Sequence, residues 1–165
     1  MTEISSIAPV DHLAYMRYAL SLAKRAPRKP TNFCVGAILV DEVANAILST
    51  GYTMELPGNT HAEQCCLAKM ETSGLPETGV AAQKLVLYTT MEPCNKRASG
   101  NVPCTETILK TGGIKVVYVG VKEPEKFVGG NVGRAKLEEA GLEYVHVSGL
   151  EAEILEVATA GHEKP

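Results

Sequence analysis

The chain has 165 residues, of which 45% are hydrophobic and 21% charged, with a formal net charge of −3 and a pI of about 5.8. This length fits one domain with its own hydrophobic core, and the acidic balance gives no general attraction to nucleic acid. The first ten residues lack the basic start and apolar run of a signal peptide, and no apolar stretch is long enough to span a membrane. We therefore expect a soluble, cytoplasmic protein whose five cysteines bind metal or fill the core rather than form disulfides.

The predicted elements are a helix and a hairpin, followed by alternating helices and strands. Apolar residues at spacings near three and four predict a helix over 11–26. Two apolar, β-branched runs around a polar turn predict strands over 33–40 and 46–53. The same patterns predict further helices over 61–70, 104–111, 132–140 and 150–158, and further strands over 84–89, 114–121 and 143–147.

This order of elements predicts an α/β fold, a three-layer α/β/α sandwich with a five-stranded mixed sheet. The later strands should run parallel because helices connect them. We expect a single domain over residues 1–165, with its core at about 11–160 and loose ends at 1–10 and 161–165. In such sheets ligands bind where strands end and helices begin.

One histidine and two cysteines stand at such places. His61 begins a predicted helix, Cys94 follows a predicted strand, and Cys104 follows a proline that suits the first turn of a helix. Imidazole and thiolates bind Zn²⁺ tetrahedrally, and three protein ligands leave a fourth position for water. The order H-x-E and then P-C is that of zinc deaminases, although nine residues rather than two separate these two cysteines.

Glu63 lies two residues after His61 and is the predicted general acid and base. Bound zinc lowers the pKa of water to about 7, and a nearby carboxylate can then move its protons. Two other interpretations remain open: Thr60 and Glu63 could form a capping box, and Cys94 and Cys104 could be buried thiols. We expect Cys34, Cys65 and Cys66 to pack in the core, and His12 and His146 to have ordinary packing or surface roles.

Several longer motifs carry a family resemblance. The segment 32–37 resembles N-P-x-V-G-A with phenylalanine in place of proline, 90–94 resembles T-L-E-P-C, and a long loop ends in Pro103 and Cys104. The chain thus resembles the cytidine deaminase-like superfamily and, more narrowly, the pyrimidine deaminases of riboflavin biosynthesis. The bacterial members carry a reductase domain after this region; we expect none here, so the chain resembles the stand-alone fungal type. The bacterial pattern has histidines where this chain has Met54 and Lys96.

The resemblance implies hydrolytic removal of the ring 2-amino group, as ammonia, from a diaminopyrimidinone with a ribitylamino phosphate chain. It implies one Zn²⁺ per chain on His61, Cys94 and Cys104, Glu63 as proton shuttle, a substrate site including Asn32 and Ala62, and a homodimer. Asn32 could instead be a turn residue. The expected partner is a small phosphorylated pyrimidine, with neither nucleic acid nor membrane.

Lys96 and Arg97 follow Cys94 in a loop that should border the substrate site. Their side chains could bind a phosphate by charge-assisted hydrogen bonds, or they could simply keep that loop solvated. The rival activities are deamination of another nucleobase, nucleoside or nucleotide, such as cytosine, cytidine or guanine. A rival of another class is a non-catalytic structural zinc module, which would need a fourth protein ligand.

Overall fold

A computed structural model describes residues 3–4, 11–27, 33–43, 45–56, 60–73, 85–91, 106, 108–109, 113–121 and 137–161, with the backbone alone at 3–4 and 70–73. The strands of this part of the chain are β1 (Glu3–Ile4), β2 (Gly36–Asp41), β3 (Ala46–Tyr52), β4 (Leu85–Met91), β5 (Ile114–Val121) and β6 (Glu143–His146). The main helices are α1 (His12–Ala23), α2 (Ala62–Ser73) and α3 (Glu151–Ala158).

The strands form one mixed sheet in the order β1-β3-β2-β4-β5-β6. β2 pairs antiparallel with both β3 and β4, whereas β4, β5 and β6 run parallel to one another. The five predicted strands and their mixed arrangement are confirmed. The sixth strand, β1, pairs antiparallel with β3 at the sheet edge, where the sequence predicts no element.

Helices cover both faces of the sheet, as two close approaches show. A β-carbon placed on Gly36 would lie 1.9 Å from the backbone oxygen of Ala19 in α1. One placed on Gly51 would lie 2.3 Å from the backbone oxygen of Ala62 in α2. Gly51 pairs with Ala37, the neighbour of Gly36, and neighbouring residues of a strand point to opposite faces. α1 and α2 therefore lie on opposite faces, which confirms the three-layer sandwich.

The third helix lies on the same face as α1. A β-carbon on Gly120 in β5 would meet Ile154 of α3 at 2.4 Å and Met16 of α1 at 3.4 Å. Every residue of β2 and of β4 is buried, which is typical of central strands with helices on both faces. The hydrophobic core therefore runs along both sides of these two strands.

β2 begins three residues later than the sequence predicts, because other groups satisfy the backbone before it. The hydroxyl of Thr53 accepts a hydrogen bond from the amide of Val35 at 2.9 Å and donates one to the carbonyl of Phe33 at 2.9 Å. The amide of Cys34 donates to the carbonyl of Ala158 in α3 at 3.0 Å. The amide of Thr53, the residue after β3, also donates to the carbonyl of Val35 at 3.1 Å, so residues 33–35 are held by Thr53 and a helix end rather than by regular strand pairing.

Two predicted helices lie mostly outside the described residues. Residues 106, 108 and 109 of the predicted helix 104–111 are helical, as are 137–139 of the predicted helix 132–140. The latter ends as predicted at Gly141, whose φ of 93° suits glycine; its amide donates to Glu138 and the next amide donates to Leu137, the Schellman pattern. None of the described helices combines the length and apolar character needed to cross a lipid bilayer.

Candidate metal-dependent active site

Three strand ends meet at one end of the sheet, which we call the upper end. β2 begins there, and β3 and β4 finish there. The hydroxyl of Thr90 in β4 accepts a hydrogen bond from the amide of Gly36, the first residue of β2, at 3.1 Å. α2 begins over the same end, because its first residue, Ala62, lies against Gly51 near the end of β3. The upper end therefore combines the end of a parallel strand with the start of a helix, where ligands bind in such folds.

His61 is the residue immediately before α2 and occupies its N-cap position. Its carbonyl accepts the first helical hydrogen bond, from the amide of Cys65 at 2.9 Å. Its own amide donates to the side-chain oxygen of Gln64 at 3.3 Å. These two contacts fix the backbone of His61 at the start of the helix, with the residue half-buried.

The structure places the capping contact of α2 at His61 and Gln64 rather than at Thr60 and Glu63, the capping box that the sequence leaves open as an interpretation. The hydroxyl of Thr60 donates to the carbonyl of Leu56 at 2.8 Å, and Gln64 rather than Glu63 reaches back to the cap. The reason is a shift of one residue, since the helix begins at Ala62 and its third residue is Gln64. Glu63 therefore does not serve as the capping residue of this helix.

Glu63 is the second residue of α2, and its side chain is only 4% exposed. The positive end of the helix favours a negative charge at this position, which lies in the first turn. Ala62 lies between His61 and Glu63 and is expected at the substrate site. It is fully buried in the core. The structure thus places a half-buried imidazole and a buried carboxylate within one helical turn at the upper end of the sheet.

The other predicted site residues lie outside the described part of the chain. They are Asn32, Cys94, Lys96, Arg97 and Cys104. In the sequence, Asn32 comes just before the segment that leads into β2, and Cys94 comes three residues after the end of β4. Among the described residues, no three histidine, cysteine or acidic side chains come together as a metal site. The grouping of His61 with the two cysteines stays a prediction.

The cysteines expected to pack in the core are buried, which confirms that expectation. Cys65 and Cys66 are fully buried in α2, and Cys34 is 2% exposed. Burial raises the pKa of the Cys66 thiol from its ordinary value of 9.0 to about 12. At neutral pH the Cys66 thiol is therefore protonated in the metal-free chain, as expected for a cysteine packed in the core.

The two histidines expected to have ordinary roles are also placed. His12 is hydrogen-bonded to the phenol of Tyr88 at 2.6 Å and stacks on the ring of Tyr118. His146 lies 3.1 Å from the carboxylate of Glu151 at the surface. The other contact of His146 is between its Nε2 and the carbonyl oxygen of Gly120 at 2.9 Å, so both histidines have the packing or surface roles expected of them.

Sequence patterns missed the segment that leads into His61. Met54 has a φ of 62°, which is unusual for a residue other than glycine, and its amide donates to the carbonyl of Thr60 at 2.8 Å. The side chain of Glu55 forms an ion pair with Lys69 of α2 at 2.8 Å. The Pro57-Gly58 pair signals a turn here, but no sequence pattern links residues that are 14 positions apart across a loop and a helix.

Comparison with known protein families shows the family to which this chain belongs. Residues 9–121 match the family described as the cytidine and deoxycytidylate deaminase zinc-binding region. The chain belongs to this deaminase family. The match includes β2 to β5, His61 and Glu63, together with the positions of Cys94 and Cys104. It confirms the family resemblance drawn from the sequence motifs.

Two curated relatives are named for riboflavin chemistry. The chain is 38% identical over 154 residues to the diaminohydroxyphosphoribosylamino-pyrimidine deaminase of Schizosaccharomyces pombe, covering 93% of this chain and 36% of the relative. It is 35% identical over 130 residues to the riboflavin biosynthesis protein RibD of Bacillus amyloliquefaciens, covering 78% of this chain and 31% of the relative. The chain thus spans about a third of the length of these relatives.

Solved structures share the fold over nearly the whole chain. A C-terminal deletion mutant of the Aspergillus oryzae Rib2 deaminase, in complex with DARIPP, superposes with a TM-score of 0.79 at 49% identity, covering 94% of this chain and 93% of that one. A deaminase/reductase from Thermotoga maritima superposes with a TM-score of 0.73 at 28% identity, covering 91% of this chain and 40% of that one. These matches confirm the deaminase fold.

Proposed function

We propose that this protein is a zinc-dependent hydrolytic deaminase that removes the ring 2-amino group of a phosphorylated diaminopyrimidinone. One observation carries the proposal: a buried carboxylate, Glu63, lies two residues after His61, the N-cap residue of α2, so that both belong to the start of this helix. This pair lies at the upper end of the sheet, where β4 ends at Met91, three residues before Cys94 in the sequence. The family membership and the names of the relatives support the same activity.

The residues proposed to hold one Zn²⁺ are His61, Cys94 and Cys104. A set of one imidazole and two thiolates suits zinc, and Met91 stands three residues before Cys94, a distance of at most about 11 Å along an extended chain. Zinc bound there would act as a Lewis acid and lower the pKa of water to about 7. The backbone of His61 is fixed at the start of α2 by two hydrogen bonds, and the residue is half-buried.

Glu63 is the proposed proton shuttle. Its carboxylate takes a proton from the water whose oxygen attacks carbon 2 of the ring, and it passes that proton to the ring nitrogen. A second proton from the same water reaches the exocyclic nitrogen, the carbon–nitrogen bond breaks, and ammonia leaves as the carbonyl forms. The net reaction consumes one water and needs no oxidant.

Substrate binding is proposed for Asn32 and Ala62 at the ring and for Lys96 and Arg97 at the phosphate. The S. pombe relative is named for a phosphoribosylamino compound, and the A. oryzae enzyme was crystallised with DARIPP. Both names are consistent with a phosphorylated pyrimidine, while the sequence motifs imply a ribitylamino side chain. Assays with the ribosylamino and the ribitylamino phosphates, beside cytosine, cytidine and guanine, would identify the ring and the sugar that are accepted.

The proposal is tested by Glu63→Gln, which keeps the size of the side chain and removes the base. Ammonia release should fall by about 100- to 10,000-fold while zinc content stays at that of the parent, because the carboxylate is not a ligand. The matched control is Glu153→Gln on α3, whose side chain is 58% exposed, and it should keep parental turnover. A Glu63→Gln protein with near-parental kcat would contradict the assigned role, and a parent that binds zinc without deaminating any compound would favour a structural zinc module.

A further inference from the structure

An ion pair bridges the two sides of the segment that carries the proposed catalytic residues. Nζ of Lys69, in the second half of α2, lies 2.8 Å from Oε2 of Glu55, which belongs to the connection between β3 and α2. The two side chains are 33% and 23% exposed, so solvent screens their attraction only in part. By contrast, Arg17 and Glu153 form a surface pair at 3.9 Å with both side chains 58% exposed.

The connection between β3 and α2 is also closed by its own backbone. The amide of Met54 donates to the carbonyl of Thr60 at 2.8 Å, and the amide of Glu55 donates to the carbonyl of Tyr52 at 3.0 Å. Met54 adopts a left-handed φ of 62°, which a side chain tolerates only when its surroundings impose it. His61 follows Thr60 directly, so the bond from Met54 to Thr60 helps to fix the backbone position of His61.

The carboxylate of Glu55 is confined rather than free to turn into solvent. Its second oxygen, Oε1, exposes less than 1 Å² and has no hydrogen-bond partner within the part of the chain that the structure describes. A surface glutamate would rotate such an oxygen into water, because leaving it unsatisfied is unfavourable. The backbone of the connection therefore directs this side chain inward, toward Lys69.

We propose that the Glu55–Lys69 pair is a positioning device for His61 and Glu63; this inference rests on the proposed function. Glu55 precedes His61 and Glu63 in the sequence, and Lys69 follows them, 14 positions after Glu55. The ion pair therefore joins the two ends of the chain segment that contains both catalytic residues. The pair holds Glu55, and with it the left-handed backbone of Met54, against α2, and thereby sets where the chain enters the helix. Without it the connection relaxes, and the imidazole moves relative to the carboxylate, which is fixed within the helix.

The test compares Lys69→Met, which keeps the apolar stem but removes the charge, with the charge-retaining Lys69→Arg. In Lys69→Met and in Glu55→Gln, the zinc dissociation constant should rise about tenfold and kcat should fall about 10- to 100-fold, with KM within about twofold. For Lys69→Arg, the zinc dissociation constant and kcat should stay within about threefold of the parental values. Arg17→Met and Glu153→Gln, which break the surface pair, should change neither.

A readout independent of zinc separates this inference from the proposed function. In the zinc-free protein, hydrogen exchange at the Cys65 amide, which donates to His61, should speed up about tenfold in Lys69→Met, with the amides of β4 and β5 unchanged. That result in a chain whose parent binds no zinc would uphold the positioning of His61 and remove the proposed function. Unchanged exchange and zinc affinity in both Lys69→Met and Glu55→Gln, or equal losses in Lys69→Met and Lys69→Arg, would overturn the inference. If Lys69→Met fails to fold, Glu55→Gln decides between these results.

Discussion

Tyr88 is a phenol enclosed in the centre of the sheet, only 1% exposed. Its hydroxyl lies 2.6 Å from Nδ1 of His12, and its ring stacks on those of Tyr15 and Tyr118, with centroids 5.0 Å and 4.6 Å away. Burial raises the pKa of Tyr88 well above its ordinary range, and the nearby Tyr118 adds to the effect. The phenol therefore stays neutral, and its hydroxyl serves the bond to His12.

Removing that hydroxyl should cost measurable stability. Tyr88→Phe should lower the free energy of unfolding by about 1–2 kcal/mol, because it breaks a buried hydrogen bond and leaves a ring nitrogen of His12 without its partner. Tyr118→Phe should cost about 0.5 kcal/mol, since its hydroxyl makes a longer bond of 3.3 Å to the half-buried Glu42. Urea denaturation of both variants checks this order, and equal losses would refute the argument from the two hydrogen bonds.

At the scale of residues, the sequence predicts the role of a residue when that role depends on nearby positions. It does not predict a role that depends on a partner far away in the sequence. His61 and Glu63 are recognisable because two positions separate them at a predicted helix start. The bond between His12 and Tyr88 joins residues 76 positions apart, and nothing local marks it. The Glu55–Lys69 pair escapes prediction for the same reason.

At the scale of elements, periodicity predicts which segments form helices and strands, while side-chain hydrogen bonds decide their ends. The strand predicted over 114–121 is β5 as observed, because its ends are marked by Gly113 and by the end of an apolar run. The start of β2 is predicted three residues early, since Thr53 and α3 take up the backbone groups of residues 33–35. The start of α2 differs by one residue, which changes the capping contact from Glu63 to Gln64.

The packing of α2 on β3 depends on the absence of a side chain at Gly51. Gly51→Ala would place its β-carbon 2.3 Å from the carbonyl of Ala62 and 2.6 Å from the amide of Cys66, so the start of α2 must move. The variant should lose about 1–3 kcal/mol of stability, and its zinc affinity should fall as well, because His61 precedes Ala62. Thermal melts and zinc titration measure the two effects.

The matched control is Gly141→Ala, where a positive φ of 93° makes alanine unfavourable but no heavy atom lies within 4 Å. It should lose about 1 kcal/mol of stability and keep the parental zinc affinity. If Gly51→Ala also keeps parental zinc affinity, the contact between α2 and β3 does not set the position of His61.

At the scale of the whole molecule, the order of elements was enough to predict the α/β/α sandwich, since helical connections require parallel strands and apolar strands require cover on both faces. The sequence could not predict β1, because a strand of two residues has no periodicity. It predicted that the candidate ligands stand where strands end and helices begin, and the upper end of the sheet brings together the start of β2, the end of β4 and the start of α2.

A buried thiol and a buried phenol should make the protein less stable at alkaline pH. The pKa of Cys66 rises from 9.0 to about 12 through burial, and that of Tyr118 rises from 10.0 to about 12 through burial and the nearby Glu42. In the unfolded chain these groups lose their protons at the lower values, whereas the folded chain keeps them. The free energy of unfolding should therefore be level below about pH 9 and should fall as the pH rises from about 9 toward 12.

Urea denaturation of the zinc-free protein between about pH 8 and pH 11 tests this dependence. Cys66→Ala should show a shallower decline than the parent, because one of the shifted groups is gone, whatever its stability at neutral pH. Parallel curves for the two proteins would mean that Cys66 ionises at its ordinary pKa in the folded chain.

The bond from the amide of Cys34 to the carbonyl of Ala158 ties the last turn of α3 to the stretch of chain that follows Asn32. Shortening the protein for expression or crystallisation within α3 would release this amide and uncover the apolar side of β5 at Gly120, against which Ile154 packs. Any trimmed version meant for substrate-binding work should therefore retain residues through Ala158, and a fusion partner is best separated from that residue by a spacer.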